Sequence, residues 1–291
     1  MTLAISIQEK QPARRLRRGD LDRRLLRLLG AAFTIVLVLY IAVPILVTAV
    51  MSFNDATVIR FPIHAWSVRW YGDFLGSPQW VDALKNSFVI AIGTTAISTT
   101  SGVLAAWAFE RYTFPGKNLL YLMIMMPLFM PGVVLGLGVA MAFGGISIGG
   151  TGIYGSRGLV MLAHSLWAMP LVFMLMEATL RTLDMRIVEA SHDLGGGPVR
   201  TFFEIVLPSV STGLISSALF AFVISLNEFV MALFLTTRDT QTLPVLMWLS
   251  LRSAGTPRLA VAAVILASVV FLSLLVIMGW YVSRLRKMRP Q

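Results

Sequence analysis

Three histidines and no cysteine bound the chemistry open to this 291-residue chain. Without thiols there are no disulfides, thiolate nucleophiles or cysteine-ligated metals. His64, His164 and His192 stand too far apart in sequence to predict a histidine-built metal site. The acidic residues are scattered and form no convergent acid–base set. The glycine-rich stretch 144–158 lacks the Lys-Ser/Thr and the flanking strand that a phosphate cradle needs, and no nucleotide motif occurs elsewhere. Two features remain. Glu228 lies inside a long apolar run, where an ionisable group marks a pathway or a partner by default. Asp184 to Pro208 carries helical apolar spacing around a run of glycines in an otherwise polar connection.

Apolar runs must position both features. The chain is 57% hydrophobic and 13% charged, whereas a soluble domain needs roughly a quarter of its residues charged. Charge-free stretches run from Leu28 to Asn54, Asn86 to Phe109, Asn118 to Ser156, Gly158 to Met176, Ile205 to Asn227 and Leu259 to Ser283. Each is at or near the roughly 20 residues that cross a bilayer as a helix, and none alternates as a barrel strand would. The expected fold is therefore an all-α membrane protein with six transmembrane helices. Lipid is its principal partner, and the net charge of +10 gives no case for nucleic acid, because the basic residues cluster at span edges.

Six crossings put both termini on one side. That side collects 17 basic residues: Lys10, Arg14, Arg15, Arg17, Arg18, Arg23, Arg24, Arg27, Arg111, Lys117, Arg181, Arg186, Arg200, Arg284, Arg286, Lys287 and Arg289. Seven lie opposite (Arg60, Arg69, Lys85, Arg157, Arg238, Arg252, Arg258), so the positive-inside rule places both termini in the cytoplasm. Four segments follow: a basic arm 1–27, a first span 28–54, a core bundle 70–283 and a tail 284–291. The first apolar run is about twice the usual 7–15 residues of a signal-peptide core, so it reads as a retained helix. A short interfacial helix is expected around Trp66 to Leu75, and an irregular connection over 144–158. Pro127, Pro131 and Pro170 are expected to kink their spans. His164 reads as a hydrogen-bonded packing residue, and Glu177 as the partner of Arg181 four residues on.

In the cytoplasmic loop 184–208, Ile187, Ala190, Ser191 and Leu194 fall on one helical face. Gly195, Gly196 and Gly197 stop that helix, and Pro198 opens the next, with Val199, Phe202, Phe203 and Val206 as its stripe. Periodicity alone leaves two uses open: packing on the chain's own bundle, or on a partner. Glu189, Ala190, Ser191, Asp193, Leu194, Gly195, then Ile205, Leu207 and Pro208 hold the spacing E-A-A, three residues, G, nine residues, I-x-L-P. This resembles the signature of permeases of binding-protein-dependent ATP-binding-cassette importers, from which Ser191 and the extra glycines 196 and 197 depart. The resemblance covers roughly Trp70 to Trp280. It implies a MetI-like type I importer bundle in the bacterial inner membrane, with 184–208 as a coupling helix seated on an ATPase subunit. It also implies a dimer of such ATPases, which would hold ATP and Mg while this chain binds no cofactor and catalyses no covalent reaction. A second homologous permease subunit and an extracytoplasmic solute-binding protein complete the implied assembly.

Within that family the chain is most similar to spermidine/putrescine permeases, through Trp70-Tyr71, Glu110 to Gly116, Ser225 to Val230 and Thr242 to Pro244. A polyamine is the expected solute, with opines, aminophosphonates, thiamine or iron as alternatives carried by related permeases. An ion-coupled secondary transporter is the rival class, and it is disfavoured by a single buried acid and too few spans. Two roles stay open for Glu228 and the adjacent Asn227: lining a path for a cationic solute, or forming a structural pair or gate.

Overall fold

Charge-free runs become helices because a backbone in lipid must satisfy its own hydrogen bonds. The computed structural model describes residues 18–59, 61–253 and 255–288, with side chains for 23–59, 61–253 and 255–283. Lys10, Arg14, Arg15, Arg17, Arg60 and Arg289 lie outside the described residues, as do the side chains of Arg18, Arg284, Arg286 and Lys287.

The chain divides after Ala49 into two units. The first holds most of α1 (Arg18–Ser52), a 35-residue helix that begins within the basic arm rather than at Leu28. The second holds all that follows. α2 (Arg69–Leu75) is the short helix expected near Trp66, and it buries Trp70 and Phe74. α3 (Pro78–Arg111) and α6 (Arg157–Leu180) pack along each other. A Cβ on Gly102 would come within 2.7 Å of Val172 Cγ1 and 3.1 Å of the Met169 carbonyl, so glycine lets the two backbones approach.

The third apolar run is not one straight helix. α4 (Lys117–Met125) passes through a 3₁₀ turn (Met126–Phe129), and α5 (Gly132–Phe143) leaves at 107° to it, with Pro127 and Pro131 at the corner. α6, by contrast, runs through Pro170 without a break. The connection expected to be irregular contains a minimal hairpin, β1 (Ser147–Ile148) against β2 (Thr151–Gly152). Gly149 and Gly150 turn it at φ +60° and +81°, the positive angles that a tight two-residue hairpin loop of this kind demands.

After α6 come α7 (Arg186–Asp193), α8 (Pro198–Thr201), a π turn (Phe202–Val206) and α9 (Leu207–Ser209). The path bends by 79° into α10 (Ser211–Asn227), then breaks before α11 (Val230–Leu235). α12 (Leu243–Ser253) and α13 (Arg258–Met288) complete the described chain. Among the described residues, four helices (α1, α3, α6, α13) are long and apolar enough to cross a membrane alone, and six crossings result when each bent pair is one span.

Three apolar clusters hold the second unit together. One joins Phe109, Phe173, Met176, Val188 and Val206 at the end carrying 184–208. Another joins Trp70, Trp80, Leu226 and Val261, and a third joins Ile90, Val160, Ala163, Met231 and Leu235.

Candidate functional site

The loop 184–208 folds as helix, turn, helix. The Asp184 carboxylate accepts from the Arg186 amide at 3.0 Å and opens α7. At its end Gly195 takes φ +83°, its amide donates to the His192 carbonyl at 2.9 Å, and the Gly196 amide donates to the Ser191 carbonyl at 2.8 Å. This pair of bonds is the Schellman arrangement, which closes orphan carbonyls at a helix end. Gly196 is needed for a different reason: a Cβ there would lie 2.5 Å from Ser191 Oγ and 2.7 Å from the Ser191 carbonyl oxygen. Gly197 has nothing within 4 Å of that position. Ser191 Oγ and Thr201 Oγ1 share a hydrogen bond of 2.8 Å across the turn, and His192 Nδ1 bonds the Gly196 carbonyl at 2.9 Å. The extra glycines therefore sit in a closed, bonded turn.

The loop's apolar residues divide between two directions. Val188, Phe202 and Val206 turn inward to the core cluster of the bundle, with Leu207 partly buried against it. Leu194 is 89% exposed, Val199 69%, Phe203 59% and Ile187 46%. Glu189, Ala190, Asp193 and Pro208 are exposed, and Ile205 is half-buried. The predicted face of Ile187, Ala190, Ser191 and Leu194 is thus largely uncovered by this chain, which anchors α7 through Val188 instead.

Glu228 occupies the break between α10 and α11, in extended backbone (φ −68°, ψ 123°). Its side chain is buried. Oε1 accepts from the Met231 amide at 2.9 Å and Oε2 from the Ala232 amide at 3.1 Å, so the carboxylate serves as the cap that α11 otherwise lacks. His164, fully buried on α6, brings Nε2 to 3.2 Å from Oε2 and Nδ1 to 2.9 Å from Ser225 Oγ. Nε2 approaches off the line of a well-aligned hydrogen bond, so the pair is a close electrostatic contact. Asn227 does not pair with Glu228; its amide donates to the Val223 carbonyl at 2.8 Å. Both residues border a cavity of about 500 Å³, along with Leu128, Trp167 and Phe229. Among the described residues no group of three or more histidine or acidic side chains is placed to hold a metal.

Residues 98–287 match the family described as "Binding-protein-dependent transport system inner membrane component". The chain belongs to that family. It is a permease subunit of an ATP-binding-cassette importer, a membrane transport component whose loop 184–208 carries the signature spacing.

The permease is 32% identical over 255 residues to the putrescine transport system permease protein PotI of Escherichia coli K12, covering 86% of this chain and 89% of that one. It is 25% identical over 244 residues to the spermidine/putrescine transport system permease protein PotC of the same strain, covering 82% and 89%. A bacterial alginate ABC transporter, solved in complex with an alginate-pentasaccharide-bound periplasmic protein, shares the fold at a TM-score of 0.69 and 15% identity, covering 90% of this permease and 96% of that chain. A chain of the inward-facing MetNI methionine transporter shares it at 0.55 and 18%, covering 72% and 95%.

The sequence suggests Glu228 inside a continuous fifth span, whereas α10 ends at Asn227 and Glu228 sits in the break beyond it. The partners His164 and Ser225 are 61 positions apart and left no local signal.

Proposed function

We propose that loop 184–208 is the site where this permease receives force from an ATPase subunit, and that the transported solute is a polyamine. One observation carries the first part: a hydrogen-bonded turn leaves Leu194, Val199 and Phe203 largely exposed and Ile187 half-exposed on the loop's outer side. Apolar side chains on a polar loop favour burial at roughly 25 cal/mol per Å² of surface covered, so they are matched to a groove on a partner. In this reading Glu189, Ala190, Ser191, Asp193, Leu194 and Gly195 form the contacting element, while Ile205, Leu207 and Pro208 carry its movement into the bend before α10. ATP and Mg belong to the ATPase dimer.

The basic residues flanking the spans support a loop, and both termini, on the cytoplasmic side of a bacterial inner membrane. A second homologous permease subunit completes the pathway, and an extracytoplasmic binding protein delivers solute to the opposite face. The polyamine assignment is supported by the putrescine and spermidine permeases that the chain resembles over more than four-fifths of its length. The cavity bordered by Trp167, Asn227, Glu228 and Phe229 suits such a cation, since it sets a carboxylate beside apolar and aromatic walls.

The absence of native cysteine makes the docking test clean. With Leu194→Cys as the permease's sole thiol, a maleimide carrying a photoactivatable benzophenone should join the permease to its ATPase subunit in the assembled complex on illumination. A label that inserts only into the permease itself would refute the docking reading.

A further inference from the structure

α6 is attached at both ends to elements with different tasks. At Leu180 it runs into a turn closed by bonds from the Arg181 amide to the Glu177 carbonyl, Thr182 to Thr179 and Leu183 to Leu180. α7 begins at once, and its Val188 is buried in the cluster that also holds Val172, Phe173 and Met176 of α6. The loop helix is therefore fastened to α6. About two turns in from the other end, His164 meets Glu228. That carboxylate holds the amides of Met231 and Ala232, and both residues are buried in the cluster that includes Val160 and Ala163 of α6. α10 ends at Asn227, so no continuous helical ladder crosses to α11. Side chains join the two segments instead.

We propose that His164 is a positioning residue for transport, locking the half-helix α11 to α6 through Glu228 so that a displacement of loop 184–208 reaches the opposite end of the bundle. A helix break lets the segments on either side change their relative arrangement, and coupling between distant sites needs an element that can do so. A buried carboxylate keeps its partners through a movement, because losing them in a low-dielectric site is unfavourable. His164 and Glu228 should therefore travel together with α11, and the break after Asn227 absorbs the change.

This inference rests on the reading of 184–208 as the ATPase contact, so the experiment separates the two. The assembled importer with its binding protein, in liposomes, is assayed for ATP hydrolysed per putrescine imported. His164→Gln places its amide near the Nε2 position and keeps the reach to Glu228. His164→Asn places its amide near Nδ1 and keeps only the reach to Ser225. The Asn variant should raise the ATP-to-putrescine ratio about tenfold while the Gln variant stays within about twofold. Combining His164→Asn with Glu228→Gln should cost less than the two single effects added together, since both substitutions break the His164–Glu228 contact. An Asn variant with an unchanged ratio, its uptake and hydrolysis falling together, would reduce His164 to a fold-stabilising residue and overturn the proposal. Equal ratios for Gln and Asn would do the same. Failure of the underlying coupling reading shows differently, as normal uptake in Gly195→Val.

Discussion

Ser191 Oγ and Thr201 Oγ1 lie 2.8 Å apart across the glycine turn of the loop, joining the end of α7 to the end of α8. The family pattern has alanine at position 191, which cannot make this bond. Thr201 is buried, so its hydroxyl has little access to water as a substitute. The serine offsets the freedom of three consecutive glycines with one cross-turn bond.

Ser191→Ala should loosen the turn without unfolding the bundle. A lost hydrogen bond of this kind is worth about 1 kcal/mol, so amide exchange over 195–201 should speed up roughly fivefold. Exchange indistinguishable from the parent would show that the bond contributes nothing to the turn.

Gly196→Ala and Gly197→Ala form a matched pair. The first places a methyl 2.5 Å from Ser191 Oγ, and the second meets nothing within 4 Å. Uptake should fall at least tenfold for position 196, the size expected of a steric clash of 1.4 kcal/mol or more, and stay near the parent for 197. Equal uptake would mean the turn is not required in this geometry.

Leu194→Asp should weaken binding of the ATPase subunit while leaving the isolated permease as stable as before, since this side chain touches little of its own chain. An apolar contact replaced by an unpaired charge costs about 2 kcal/mol, or roughly a thirtyfold rise in Kd. A titration of detergent-solubilised permease with labelled ATPase subunit reads this directly, and an unchanged Kd removes Leu194 from the interface.

Loop and buried site differ in how far sequence reveals them. Helix, turn and helix were legible at 184–208 because periodicity, glycine and proline are local signals. The Ser191–Thr201 bond was not, since nothing in spacing encodes a side-chain contact across a turn. The break after Asn227 is hidden for a related reason: no glycine or proline marks it, and Leu226, Phe229 and Val230 continue the apolar run around it. Only the carboxylate betrayed it, and its role depended on His164 of another helix. Residues 147–152 show the opposite limit, where strands of two residues are too short to display alternation.

Glu228→Gln distinguishes cavity wall from solute ligand. The amide keeps one accepting oxygen but places an N–H donor against the amides of α11 that the carboxylate now satisfies. The kcat for putrescine uptake should fall about tenfold with KM within about twofold, the pattern of a lost conformational contact. A raised KM with kcat unchanged would instead place the carboxylate on the solute.

The most direct test of the central claim is uptake by the assembled complex in liposomes, with its binding protein, across a solute panel that includes putrescine and spermidine. Saturable polyamine uptake is expected, requiring ATP inside the energised compartment and lost in Gly195→Val, where a β-branched residue must enter a φ of +83°. Uptake sustained by an ion gradient without ATP would contradict it.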